Sequence, residues 1–215
     1  MLKPILRTLL LASLAWLPLA QAADAPVEGV HYVAVDVGPW APQPGRIEVV
    51  EVFGYTCPHC AHFEPQLQAW RRKLPQDVHL ETVPAAFGGQ WNAWARVYFA
   101  TEKLGLTART HQAVFDALHR EGSLPRNATA QELETFFAAY GVSGEDLRAA
   151  LADPQTEEKL RRSAQYLRAA GLEGTPTLLV NGRWRVLGGS FDEILRTTDW
   201  LVARERAARR APTSR

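Results

Sequence analysis

Apolar and polar positions alternate along this chain with two different rhythms. Ile47-Glu48-Val49-Val50-Glu51-Val52-Phe53 is β-branched and almost continuously apolar, which predicts a strand buried on both faces and ended by Gly54. Shorter strand signals lie at His31 to Asp36, Val78 to Val83 and Pro176 to Val180, with Arg183 to Leu187 as a hairpin partner across Asn181-Gly182. A helical rhythm begins at Pro58, proline being suited to a first helical position, and runs to Lys73. Pro65 inside it predicts a kink, because it removes one backbone bond and crowds the preceding turn.

From Gln90 to Ala170 nearly everything reads as helix, and Gly105, Gly122, Pro125 and Gly141 divide it into four or five pieces. Thr129 to Glu132 and Ser190 to Glu193 are capping boxes, in which two side chains satisfy two orphan amides reciprocally. Asp153-Pro154 supplies another N-cap, and the last helix is expected to run to about Ala208. Arg204, Arg206, Arg209 and Arg210 then read as a solvated, fraying end that suits the helix dipole. The order β, β, α, β, helical block, α, β, β, α predicts an α/β core carrying an all-helical insertion. The expected boundaries are 23–86 and 154–215 for the core and 87–153 for the insertion.

The first residues follow a different logic. Lys3 and Arg7 precede an apolar run from Leu9 to Ala20, and Ala20-Gln21-Ala22 offers a small-x-small cleavage site. That order predicts a secretory signal peptide over 1–22, too short and too broken by Pro18 for a membrane span. Export would deliver the mature chain to an oxidising compartment, read here as the periplasm.

Composition narrows the classes. With 47% hydrophobic and 22% charged residues, the 215-residue chain suits a packed globular domain rather than a disordered one. Twenty-four Lys+Arg against 23 Asp+Glu remove any global electrostatic case for nucleic acid. Two cysteines in such a length exclude a disulfide-stapled scaffold and allow at most one internal bridge.

Both lie in Cys57-Pro58-His59-Cys60, between a strand and a helix. As a structural bridge, the pair would close a loop of only about four residues, where the entropic stabilisation is smallest. As a zinc site, Cys57, Cys60 and His62 lack a fourth ligand, so no metal is expected. Ala61 stands where covalent haem attachment would require His. The redox reading uses every residue. A helix N-terminus favours a thiolate at Cys57, His59 can lend a hydrogen bond or charge, and Cys60 sits one turn along, placed to resolve a mixed disulfide.

With Glu51 on the preceding strand, Phe63 after the motif and Thr175-Pro176 before the next strand, this Cys-Pro-His-Cys sequence resembles the DsbA family of thiol–disulfide oxidases. The resemblance covers nearly the whole mature chain and implies a thioredoxin fold with an inserted helical domain. It implies an exposed, attacking Cys57, a shielded Cys60, a cis Pro176 facing them, and a Thr175 backbone that pairs with extended peptide. Glu51 would serve as proton-transfer group for Cys60. Some family members pair that acid with a lysine on the next strand, where this chain has Glu81-Thr82-Val83.

Glu48, Glu64 and Glu81 read as solvated or capping charges and His62 as a surface helix residue. Tyr55, Phe63, Phe87, Trp91, Trp94 and the Leu172–Thr175 loop are the aromatic and loop residues from which a peptide groove or further core could be built. The expected activity is that of a monomeric exported oxidase with no cofactor beyond its Cys57–Cys60 disulfide. It would donate that bond to reduced, unfolded polypeptides, and the resemblance implies reoxidation by a membrane quinone-linked partner of the DsbB type. A reductase, an isomerase, a substrate-restricted oxidase or a peptide-binding chaperone are the alternatives.

Overall fold

A computed structural model describes residues 25–210, so the predicted signal segment lies outside the described residues. The long apolar run forms the strand expected, and the rest of the fold is arranged around it. β1 (Tyr32–Ala34), β2 (Ile47–Phe53), β3 (Val78–Pro84), β4 (Thr177–Val180) and β5 (Trp184–Val186) make one sheet in the order β1-β5-β4-β2-β3. β2 and β3 run parallel, whereas β2–β4, β4–β5 and β5–β1 are antiparallel. β1 is shorter than the 31–36 expected. The chain bends out of regular pairing there, although the Val35 and Val37 amides still donate to Arg183 and Gly182 carbonyls.

The two faces of β2 serve two cores. Ile47 and Val49 point toward α1 (Pro58–Arg71) and α7 (Phe191–Arg210), where Phe63, Leu67, Ile194 and Leu201 cover them. Val50 and Val52 point the other way, toward α2 (Gly89–Lys103), α3 (Thr107–Asp116) and α6 (Pro154–Ala169). Burying a side chain such as Leu67 or Leu201, both fully enclosed, contributes roughly 1.5–3 kcal/mol. By strand parity Glu51 shares the α1 face and Glu48 the opposite one.

α4 (Ala130–Ala138) and α5 (Gly144–Leu151) complete the helical block, with a five-residue π-turn, Ala117–Glu121, closing α3. The predicted caps form: Thr129 with Glu132 as a reciprocal box, Asp153 on the Gln155 amide, and Ser190 with Glu193. α1 continues as one helix through Pro65. Asn181 and Gly182 take φ of 51° and 60°, the left-handed pair that a two-residue hairpin turn requires. Gly182 also packs so tightly on the Gly38 backbone that any side chain there would collide with it.

Two expectations about charge are corrected here. Glu48 is not solvated: only 1% exposed, it accepts the Trp40 amide at 2.6 Å and the Ala41 amide at 2.5 Å, with His79 Nε2 at 3.6 Å. Its backbone amide donates to Asn181 Oδ1 at 2.9 Å, so the residue ties the β1–β2 connector, through its carboxylate, to the hairpin, through its main chain. Nor does the arginine-rich end fray. Arg206 forms a bidentate pair with Asp77, Arg204 donates to the Tyr32 hydroxyl and lies 4.1 Å above the Trp184 ring, and Arg209 donates to the Arg46 carbonyl. Folded partners from β1, β5 and the β2–β3 region hold each of these guanidinium groups. Only part of the tail faces water.

Candidate active site

The site begins where β2 ends. Gly54 turns the chain, Cys57 takes an extended conformation as the N-cap of α1, and Pro58 occupies the first helical position. The Cys60 amide then points back at the cap, donating to Cys57 Sγ at 3.4 Å. Across from it the Thr175–Pro176 peptide bond is cis, and Cys57 Sγ donates to the Thr175 carbonyl at 3.4 Å. His59 stands exposed on the outer side of the turn, and its backbone amide also faces the Cys57 sulfur.

The two thiols differ sharply. Cys60 is fully enclosed and Cys57 is 7% exposed, less open than the resemblance implies, with its sulfur held against the Thr175 carbonyl. The Cys60 thiol, the Thr175 hydroxyl and the Cys60 and His59 amides all stabilise a negative sulfur at Cys57. They outweigh the opposing effect of burial and bring its pKa down to about 5. For Cys60 burial dominates, reinforced by the Cys57 and Glu51 charges, and its thiol is pushed far above the ordinary range. At neutral pH the reduced site therefore holds one thiolate and one thiol.

Glu51 lies beneath α1, 1% exposed, with neither carboxylate oxygen hydrogen-bonded among the described residues. Burial raises its pKa well above the ordinary carboxylate value, the nearby Glu64 raises it further, and Arg71 opposes them. Its register partner on β3 is Thr82, so no lysine stands opposite it. Glu64 is the third corrected charge. Only 1% exposed, it sits 3.6 Å from His111 Nε2 and accepts the Gln68 side-chain amide at 2.8 Å. Glu81, one residue before Thr82, is partly solvated, and His62 is exposed as expected.

The aromatic residues divide. Tyr55, Phe63 and Trp94 belong to the cores, whereas Phe87, 37% exposed, and Trp91 form one wall of an open pocket at Cys57. Arg126 from the inserted block and Glu173 to Thr175 from the core complete its rim. Leu172 turns inward. Among the described residues no group of three or more His, Cys, Asp or Glu side chains converges as a metal-ligand set. No described helix is long and apolar enough to cross a membrane.

Three residues near the site carried signals that residue-by-residue reading passes over. Glu64 lies on the same α1 stripe as Cys57, Cys60 and Leu67, the i, i+3, i+7 face that must be buried. His111 and His119 flank Phe115 at four-residue spacing, and both reach the active-site turn. His111 Nδ1 lies 3.0 Å from the Tyr55 hydroxyl and His119 Nε2 lies 2.6 Å from the Tyr55 carbonyl.

Known proteins share this arrangement. A family model described as a DSBA-like thioredoxin domain matches residues 48–195. The thiol:disulfide interchange protein DsbA of Pseudomonas aeruginosa is 36% identical over 210 residues, covering 96% of this chain and 99% of its own length. That of Azotobacter vinelandii is 37% identical over 183 residues, 84% of this chain and 85% of its own. The crystal structure of oxidoreductase DsbA from Xylella fastidiosa superposes with a TM-score of 0.83 at 47% identity, over 86% of this chain and all of that one. A strand–turn–helix carrying two unlike thiols, facing a threonine–proline loop, thus occurs on a fold and sequence whose relatives exchange disulfides, and the chain belongs to the DsbA family of thiol:disulfide oxidoreductases.

Proposed function

We propose that the Cys57–Cys60 disulfide is transferred to reduced polypeptides through a mixed disulfide at Cys57. A substrate thiolate attacks Cys57 Sγ, the Cys57–Cys60 bond breaks, and the electron pair leaves on Cys60 Sγ, which takes up a proton. A second substrate thiolate then attacks the substrate sulfur of the mixed disulfide and releases Cys57 as thiolate. The unlike character of the two thiols carries this reading. A Cys57 thiolate that is stable at neutral pH is a good leaving group, and its stability favours the reduced protein, hence oxidation of the substrate. Pro58 starts the helix whose amides hold that charge, His59 contributes one of those amides, and Glu51 is placed to exchange a proton with Cys60.

Extended peptide would pair with the Thr175 backbone beside Pro176, in the manner of strand addition, with Phe87 and Trp91 as an apolar wall. The predicted signal peptide supports export to the periplasm, with exported polypeptides as substrates. A quinone-linked membrane oxidase of the DsbB type would restore the disulfide, and the protein would act as a monomer.

The test is direct. Purified oxidised protein should oxidise a reduced model protein, and Cys57→Ser should abolish this; oxidation that survives the substitution overturns the proposal. Equilibration with glutathione buffers separates oxidase from reductase. An oxidase must be more oxidising than the thioredoxin value of about −270 mV by several tens of millivolts, 30 mV being worth about 1.4 kcal/mol. A potential at or below that value would assign a reductase.

A further inference from the structure

Two opposite charges line the mouth of the Cys57 pocket. Arg126 comes from the loop between the π-turn and α4, in the inserted block, and Glu173 from the loop that leads to Thr175. Apart from the Cys57 sulfur, every other described residue lining that pocket is neutral. Both side chains are exposed, and among the described residues neither makes an ion pair or a hydrogen bond, with the other or with any third group. Elsewhere on the inserted block Arg96, Arg120 and Arg148 each reach a carboxylate at 2.6 to 3.0 Å. At the mouth, the two charges are left unspent.

Each charge stands on a fastened main chain. The Arg126 carbonyl accepts Gln90 Nε2 at 2.8 Å and Trp94 Nε1 at 2.7 Å, both from α2, and the neighbouring Pro125 carbonyl accepts the Ala128 amide at 3.0 Å. On its other side Arg126 borders an apolar pocket with Trp94, Val97 and Leu133, which offers it no carboxylate. The Glu173 loop is held by the buried Leu172 and by Arg185, which donates to the Ala170 and Gly171 carbonyls and leaves Glu173 unpaired. Neither charge belongs to the chemistry of the thiol itself, since Cys60, Thr175 and the Cys60 and His59 amides are the groups that stabilise the Cys57 anion.

We propose that Arg126 and Glu173 form a polarised rim that selects and orients client peptides by charge. The favoured client carries an acidic residue on one side of its reacting cysteine, toward Arg126, and a basic residue on the other, toward Glu173. In extended peptide, side chains two positions apart share a face, so the residues two before and two after the cysteine are turned to the same side as its sulfur. The reversed arrangement sets like charges together and is rejected for that reason. Charges at a rim act mainly on the rate of encounter and on its salt dependence. The inference rests on the mixed-disulfide reading above and names the clients that reading favours.

The experiment mixes oxidised, full-length mature protein with reduced single-cysteine peptides in stopped flow. The peptides carry Asp, Lys or Ala two positions before the cysteine, two after it, or both. Each second-order rate is corrected for that peptide's own reactivity toward glutathione disulfide and divided by the all-Ala rate of the same variant. A change in the thiol or in folding moves every peptide together and cancels in this ratio. Wild type should prefer Asp over Lys at one flank and Lys over Asp at the other, each by roughly two- to fivefold, the scale of an exposed ion pair. Arg126→Glu should reverse the first preference and leave the second, and Glu173→Lys the converse. Both preferences should fade in about 1 M salt, where the screening length is about 3 Å. Absence of flank preference in wild type overturns the proposal, as do preferences that the two substitutions leave in place or alter at the same flank. Capture of the all-Ala peptide from its own disulfide dimer by reduced Cys60→Ser tests the exchange chemistry separately. No capture would sink the mixed-disulfide reading and the rim with it; capture without flank preference sinks the rim alone.

Discussion

The indole of Trp91, near the start of the inserted block, fills the space that a β-carbon on Gly54 would occupy. A bare backbone at the end of β2 is thus what lets the helical block close directly onto the active-site turn. Gly54→Ala should push the ring aside, costing about 1–3 kcal/mol as overpacking does. Urea denaturation would measure the loss. Because Trp91 also walls the Cys57 pocket, peptide oxidation by the variant should show a raised KM, and an unaltered KM would argue against that wall.

The Cys57 thiol should titrate with a midpoint of about 5, read by thiolate absorbance near 240 nm in the reduced protein and absent from Cys57→Ser. Its folded pKa is depressed below the ordinary thiol value of 9.0. The resulting stabilisation is therefore full above that ordinary value, shrinks as pH falls, and is gone below about pH 5. Thermal unfolding of reduced protein should accordingly exceed that of Cys57→Ser at pH 7 and converge with it near pH 4. A constant difference across that range would contradict the assignment.

Glu51 carries the opposite sign. Its folded pKa is raised, so above the ordinary carboxylate range the unfolded chain ionises while the folded one keeps its proton, and stability falls as pH rises. Glu51→Leu should stabilise the protein at pH 7 by on the order of 1–3 kcal/mol, the cost of an unsatisfied buried polar group. The gain should shrink toward pH 4, while thiol exchange slows. Denaturant titrations at the two pH values, with exchange rates alongside, check all three outcomes.

Glu48 is buried as well, but its oxygens are engaged. Glu48→Ala would strand the Trp40 and Ala41 amides and the buried His79 ring, and should cost about 3 kcal/mol. Faster proteolysis in the β1–β2 connector should accompany it, with the Cys57 titration unmoved. A variant that unfolds at wild-type urea concentration would show that the connector is held elsewhere.

The strands, caps, hairpin turn and cysteine motif were legible because each is a local pattern: β-branched runs, Thr129 with Glu132, Asn181 with Gly182, Cys57 with Cys60. The carboxylates were not. Glu48, Glu51 and Glu64 look alike in sequence, and what separates them is the distant chain each one meets. Glu48 finds Trp40, Ala41 and His79, Glu64 finds His111, and Glu51 finds no hydrogen-bond partner among the described residues. The contacts of the α7 arginines are illegible for the same reason, since Tyr32, Trp184 and Asp77 come together only in the folded sheet. Periodicity shows which face of α1 is covered. It does not show by what.

The seam between Gly54 and Trp91 has an evolutionary corollary. The Cys57 pocket draws its thiol and its Glu173-to-Thr175 rim from one part of the fold, and Phe87, Trp91 and Arg126 from another stretch of chain. On the proposed function, the reacting thiol and the apolar wall that meets the peptide are therefore written in separate stretches of sequence. On that reading, helices in the inserted block could drift, lengthen or change the charge at the rim and alter which peptides fit, with the Cys57–Cys60 turn left as it is.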